Sequence, residues 1–270
     1  MDYDKIKDQF GNWGLLMKEL IESETFNNLY SFLKQQSQQG KEILPKSTET
    51  WKSLQLCDRT KIKAIILLQC PYATKREGKV IASGIPISCE NIAPYKQPSL
   101  YQWEQAIEAQ YGFDPDNDFR CDISYLLSEE HVLLMNTSMT VELQKVDSHQ
   151  QQWHEVTRWF IEHIVNKYLP GIPIVLVGSQ AQKFEKYLNP LSNPILSVEH
   201  PAAAAYQNRD WKHQNMHMWI NEVIRANNGP EEMVMWTRKK GEVKREKTVY
   251  PQQIGKQLPS AQELGMPWNE

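Results

Sequence analysis

The sequence predicts an α/β fold, three-layered (α/β/α), around a central, mainly parallel four-stranded sheet. Three observations predict it. Four short β-branched or Leu-rich runs each end on polar or small residues, helical stretches lie between them, and 270 residues suffice to bury one large core. Helices come first. In "NWGLLMKELIESETFNNLYSFLKQQSQQGK", Trp13, Leu16 and Leu20, then Phe26, Tyr30 and Leu33, recur at helical intervals, and Gly40 is a natural stop. The runs "KIKAIILLQC", "EHVLLMNTSMTV", "IPIVLVGSQAQ" and "NPILSVEHPAAAAY" predict strands at 62–69, 131–136, 173–178 and 194–198. Helical spacing in "SLYQWEQAIEAQYG" and "WHEVTRWFIEHIVNKYL" supplies the crossovers that a parallel sheet needs.

The alternation stops after residue 228, which divides the chain into a domain at 1–228 and a C-terminal extension at 229–270. The extension is polar, basic in its first half and Pro-containing, and the patches "EEMVMW" and "EKTVY" suggest a hairpin. No internal repeat is visible. A formal net charge of -3 neither supports nor excludes nucleic acid, so any such binding must come from a local arrangement of donors. The four cysteines, 57, 70, 89 and 121, form no CxxC pair and no metal-ligand spacing. "MDYDKIKDQF" is charged from its second residue, so the expectation is a soluble protein with free thiols in a reducing cytoplasm. No stretch approaches the roughly 18 apolar residues of a membrane span.

Parallel strands finish on one edge of the sheet, so the loops "QCPYATKREG", "NTSMTV", "GSQAQ" and "HPAAAAY" are expected to converge on one cleft. In this order and spacing the motifs resemble the main uracil-DNA glycosylase family. "LQCPY" is similar to its water-activating GQDPYHG, "VLLMNTSMTV" to LLLNxxLTV, "VLVGSQAQK" to WGxxAQ, and "SVEHPAAAAY" to the HPSPLS leucine loop. "QPSLYQW" resembles its proline-rich loop and "DSHQQQWHEVT" its SHxxxGW, so the similarity covers residues 12–227.

Base excision makes three demands once the nucleotide is out of the stack: recognition of the base edge, stabilisation of the departing base anion, and a positioned water. A side-chain amide offers both a donor and an acceptor, so Asn136 suits the edge of a pyrimidine; an isolated Asn at a strand end would merely turn the backbone. The resemblance makes Tyr72 the ring that stands against C5 and excludes a methyl group. It puts Ile87 in "GIPIS" where the family stacks a phenylalanine on the base, an exchange that gives up stacking worth about 1–3 kcal/mol. His200, in its "HP" context, becomes the donor to the anion at O2, and the other six histidines are read as structural.

The third demand is where the similarity breaks. Cys70 stands where the family carries its water-orienting aspartate, and Ala73 where a histidine follows. A neutral thiol of pKa about 8.5 is a poor base for water. Gln69, Cys70 and His200 are therefore the catalytic candidates, and Asn136, Tyr72 and Ile87 the base-binding ones. Pro98 with Ser99 and Gly178 with Ser179 match the family's phosphate-holding groups. Ala204, at the place of the leucine, is a small wedge, and Tyr206 an alternative one. The segment after Tyr72 is longer than the family pattern and brings Lys75, Arg76 and Lys79 to the mouth.

The resemblance implies a monofunctional, metal-free and cofactor-free DNA glycosylase, a monomer that acts on uracil or a 5-modified pyrimidine flipped out of single- or double-stranded DNA. The alternative is a catalytically inactive glycosylase fold that binds DNA or a partner. Retention of Asn136 and His200 speaks against it, because a binder has no need of an oxyanion donor.

Overall fold

The computed structural model describes residues 2–112 and 117–239. Strands β1 (Ala64–Leu68), β2 (Val132–Asn136), β3 (Ile174–Val177) and β4 (Ile195–Val198) form one sheet in the order β2-β1-β3-β4. All three pairings are parallel. Every residue of β1, β2 and β3 is buried, which explains why these strands read as unbroken Ile/Leu/Val runs. β4 is an edge strand, buried fully only at Val198.

Register decides where the strand ends fall. Leu68 pairs with Asn136, and Val177 with Val198, so Gln69, Thr137, Gly178 and Glu199 step off the sheet nearly level. The four following loops therefore share one edge, as the parallel pattern predicts.

Helix α1 (Glu24–Gln38) starts where the Ser23 hydroxyl accepts from the Phe26 amide at 3.2 Å. Helix α2 is Pro98–Tyr111 and α3 is Gln150–Phe160. α3 turns Trp153, Val156, Thr157 and Phe160 inward at helical spacing. Two hydrogen bonds fix it to the loop beyond β2: Trp153 Nε1 donates to Thr140 Oγ1 at 2.7 Å, and Thr157 Oγ1 to the Thr137 carbonyl at 2.8 Å. The short helices α4 (Ser179–Gln182) and α5 (Pro201–Tyr206) follow β3 and β4 directly, and α6 is Met216–Asn228. No helix among the described residues is long and apolar enough to cross a membrane.

Residues 229–239 pack on the body. Asn221 of α6 clasps the Val234 backbone, accepting from its N–H at 2.8 Å and donating to its carbonyl at 3.1 Å. Trp236 is buried edge-on against His217 at 4.7 Å, and Trp103 and Trp211 complete the aromatic group. Arg238–Lys239 pairs antiparallel with Asn117–Asp118, a partner different from the expected hairpin, whose second half at 246–250 lies outside the described residues.

Candidate active site

The four strand-end loops and the start of α2 enclose a cleft of about 810 Å³, a size typical of small-molecule sites. Gln69, Cys70, Tyr72, Ile87, Asn136 and His200 all line it, as do Pro98, Ser99, Gly178, Ser179 and Tyr206. Ala204 does not, and this corrects its reading as a wedge. α5 turns Pro201 and Ala204 inward, three residues apart, against α2, which leaves Ala204 at 0% exposure and Tyr206 at 82%. An apolar side chain buried in its own domain cannot enter a base stack.

His200 caps α5. Its Nδ1 accepts from the Ala202 amide at 3.2 Å, so the neutral ring carries its proton on Nε2. Burial drives its pKa down to about 4, against a partial pull upward from Asp147, and the ring is neutral at physiological pH. A neutral imidazole with a committed tautomer is a donor whose orientation costs nothing to arrange at the moment of reaction. Gly178 makes room for it: at φ +84°, a Cβ on Gly178 would lie 2.8 Å from the His200 Cβ.

Asn136 ends β2 at 6% exposure, and no group among the described residues hydrogen-bonds its amide. A nearly buried amide left open toward a cleft holds donor and acceptor capacity in reserve for a ligand. Tyr72 is held by its phenol, which donates to the Ile87 carbonyl at 3.2 Å. Burial raises the phenol pKa well above its ordinary value, so the ring is neutral and fixed. Ile87 itself adopts φ +55°, a left-handed conformation that is strained for a β-branched residue and of the kind found at ligand clamps.

Cys70 lies behind Gln69 in sequence and beside an acid that sequence reasoning missed. Asp147, in a turn at φ +64°, accepts from Gln69 Nε2 at 2.7 Å and Gln180 Nε2 at 3.0 Å on Oδ2, and from Gln150 Nε2 at 3.2 Å on Oδ1. Its charge also bears on the Cys70 thiol. Burial, reinforced by this negative charge, pushes the Cys70 pKa up to about 12, so the thiol keeps its proton. Gln69 thus spends its side chain on Asp147, while its carbonyl accepts from Thr137 Oγ1 and Gln150 Nε2, both at 2.8 Å.

A uracil-DNA glycosylase of Coxiella burnetii (strain RSA 493 / Nine Mile phase I) is 31% identical to this chain over 192 residues, 70% of this chain and 80% of that protein. The chain belongs to the uracil-DNA glycosylase family. The uracil-DNA glycosylase of Bacillus mycoides (strain KBAB4) is 28% identical over 225 residues, 82% of this chain and 94% of that protein. In fold, the crystal structure of mimivirus uracil-DNA glycosylase superposes with a TM-score of 0.72 at 18% identity, covering 84% of this chain and 87% of that one. No protein-family model matches the chain.

Where this chain departs from the uracil-DNA glycosylase pattern, the longer loop after Tyr72 is a β-hairpin, Lys75–Arg76 paired with Lys79–Val80 across a Glu77–Gly78 turn. Both turn residues have positive φ, +51° and +77°, the geometry of a tight two-residue hairpin. Its charge at the mouth is smaller than the sequence suggests. Lys75 pairs with Glu42 at 2.6 Å, and Arg76 lies over the Tyr95 ring at 3.7 Å, which leaves Lys79 as the hairpin cation without a partner among the described residues.

Proposed function

We propose that this protein is an active DNA glycosylase that hydrolyses the N-glycosidic bond of a uracil flipped out of DNA, leaving an abasic site. The open Asn136 amide, sharing one cleft with the Nε2–H of a neutral His200, carries this reading. Asn136 meets the pyrimidine edge at O4 and N3–H, and His200 donates to O2 as N1 takes the electron pair of the breaking bond. Tyr72, pinned through its phenol, stands against position 5, which favours uracil over pyrimidines with bulky 5-substituents. The uncapped start of α2 offers the Ser99 amide to a flanking phosphate, and the Ser179 amide does the same at α4, where Gly178 lets the chain turn. Tyr206 fills the space the base vacates. The protein acts as a monomer in a reducing cytoplasm, consistent with four unpaired cysteines.

Incubation with oligonucleotides that carry one deoxyuridine, or one 5-substituted pyrimidine, followed by alkaline cleavage of abasic sites tests the reading. Strand breaks at the uracil are expected. Binding of the uracil strand with no base release from any substrate favours the DNA-binding alternative instead.

A further inference from the structure

We infer that the outer face of the hairpin after Tyr72, Arg76 and Lys79 backed by Tyr95, is a clamp for one phosphate of the DNA strand, a few nucleotides outside the cleft. The inference rests on the glycosylase reading and adds to it a contact that none of the strand-end loops supplies.

The hairpin has two faces, because side chains alternate along each strand and cross-strand partners share a side. Lys75 and Val80 are partners on the inner face, where Val80 packs against the apolar cluster of Leu44, Ala73, Ala82 and Val141, and Lys75 pairs with Glu42. That face is closed. Arg76 and Lys79 are the partners on the other face, directly opposite each other beside the turn. Like charges so placed repel. Among the described residues the one acid within ion-pair distance of either is Glu77, whose carboxylate lies 3.9 Å from Arg76 Nε, beyond hydrogen-bond reach, on a side chain 75% exposed. An anion held between the two cations removes the conflict.

Tyr95 gives this charge a shape. Arg76 Cζ lies 3.7 Å from the centre of the ring. An edge-on guanidinium would bring a nitrogen about 1.3 Å nearer to the ring than its carbon, inside contact distance, so the group lies flat on the ring. Its N–H groups then radiate sideways, and Arg76 makes no hydrogen bond to any described residue. Stacking fixes the guanidinium without neutralising it, and a fixed planar fork matches the oxygens of a phosphate. Tyr95 is itself anchored, since its N–H donates to the Ile92 carbonyl at 3.0 Å and its carbonyl accepts from Cys121 Sγ at 3.6 Å. The next cation, Lys96, is spent on Glu104 at 2.5 Å.

Both halves of the clamp are tied to the rim of the cleft. Thr74, two residues before Arg76, and Gln97, two residues after Tyr95, line it. The three steps from Tyr95 to Pro98 span at most about 11 Å, and one DNA strand rises about 3.4 Å per phosphate, so the clamp meets the backbone within about three nucleotides of the phosphate at Ser99.

The salt dependence of binding tests this without turnover. The probe is a single-stranded oligonucleotide that carries the carbon-linked isomer of deoxyuridine, whose bond to the sugar cannot be hydrolysed. Loss of one phosphate contact makes the slope of log affinity against log salt shallower by about 0.7, which is about fivefold in affinity at 0.1 M salt if the curves meet near 1 M. Arg76→Gln combined with Lys79→Gln is expected to show both changes. Lys75→Gln, an equal change of charge on the inner face, is expected to leave the slope as in wild type. Tyr95→Leu keeps every charge, so it is expected to weaken binding about two- to fivefold, the equivalent of an exposed cation–π contact, at an unchanged slope. A neutral methylphosphonate walked along the strand is expected to weaken wild type, and not the double variant, at one position within about three nucleotides of the target. An unchanged slope in the double variant, an equal change in Lys75→Gln, or the absence of any such position overturns the inference. Release of uracil from a deoxyuridine strand is measured separately. Binding with the expected slopes but no release overturns the glycosylase reading and leaves the clamp standing, whereas release with unchanged slopes does the reverse, and no binding by wild type overturns both.

Discussion

His200 is the residue whose removal should matter most. The proposed cleavage is dissociative, so stabilising the departing base contributes more than activating water, and His200→Ala is expected to cost about 2–4 kcal/mol of transition-state stabilisation. Single-turnover base release measures it, with DNA affinity nearly unchanged because the contact strengthens only as charge develops. A second residue-scale expectation concerns Tyr206. Tyr206→Ala should slow release from duplex DNA more than from single-stranded DNA, since only the duplex must be held open. Equal slowing on both substrates would remove Tyr206 from that role. The positions of Asn136, His200 and Tyr72 were legible because each closes or follows an apolar run. Asp147 was not, because its partners Gln69, Gln150 and Gln180 are brought together only by the fold. A lone acid in a turn reads as solvated surface.

Between strand and helix, the decisive element is the tight passage from β3 into α4. Gly178→Ala would set a methyl against the His200 ring and impose a left-handed backbone on alanine, at a cost of about 1–3 kcal/mol. Thermal melting should show that loss, and base release should fall further than the melting shift explains, because His200 is displaced. The four strands were readable within a residue or two of their ends, since burial on both faces writes itself as continuous Ile/Leu/Val. α5 was harder: "PAAAAY" signals a loop of small residues, but its three-residue repeat hides Ala204 and presents Tyr206. The hairpin's charges were legible as residues and not as pairs, because Glu42 and Tyr95 are remote in sequence from Lys75 and Arg76.

For the whole molecule, acid sensitivity follows from buried histidines. Burial lowers His149 and His200 to about 4 and His217 to about 3, from 6.5. Between those values the unfolded chain binds more protons than the folded one, so stability is complete above about pH 6.5 and declines as the pH falls toward 4. Urea unfolding midpoints at neutral and acidic pH check this, and His217→Gln should weaken the dependence. The aromatic group around His217 also binds the start of the extension to the domain. Trp236→Ala should therefore cost about 3–5 kcal/mol by the same denaturation assay. The polar, basic composition after residue 228 concealed this anchoring, because the single apolar run Met233–Trp236 is too short to show which side chains it buries.

The strand order β2-β1-β3-β4 also has a consequence for the birth of the protein. Strand β1 leaves the ribosome early and has its partner β2 available once that strand emerges, but its other flank belongs to β3, which is made much later. Asn136 and Tyr72 are therefore present well before Gly178 and His200, by roughly 3–13 s at about 5–20 residues per second. During that interval the nascent chain has the half that would recognise a base and lacks the half that would release it. A ribosome halted between the two would display a fragment unable to open a glycosidic bond, and competence arrives only when β4 docks as the last strand of the sheet.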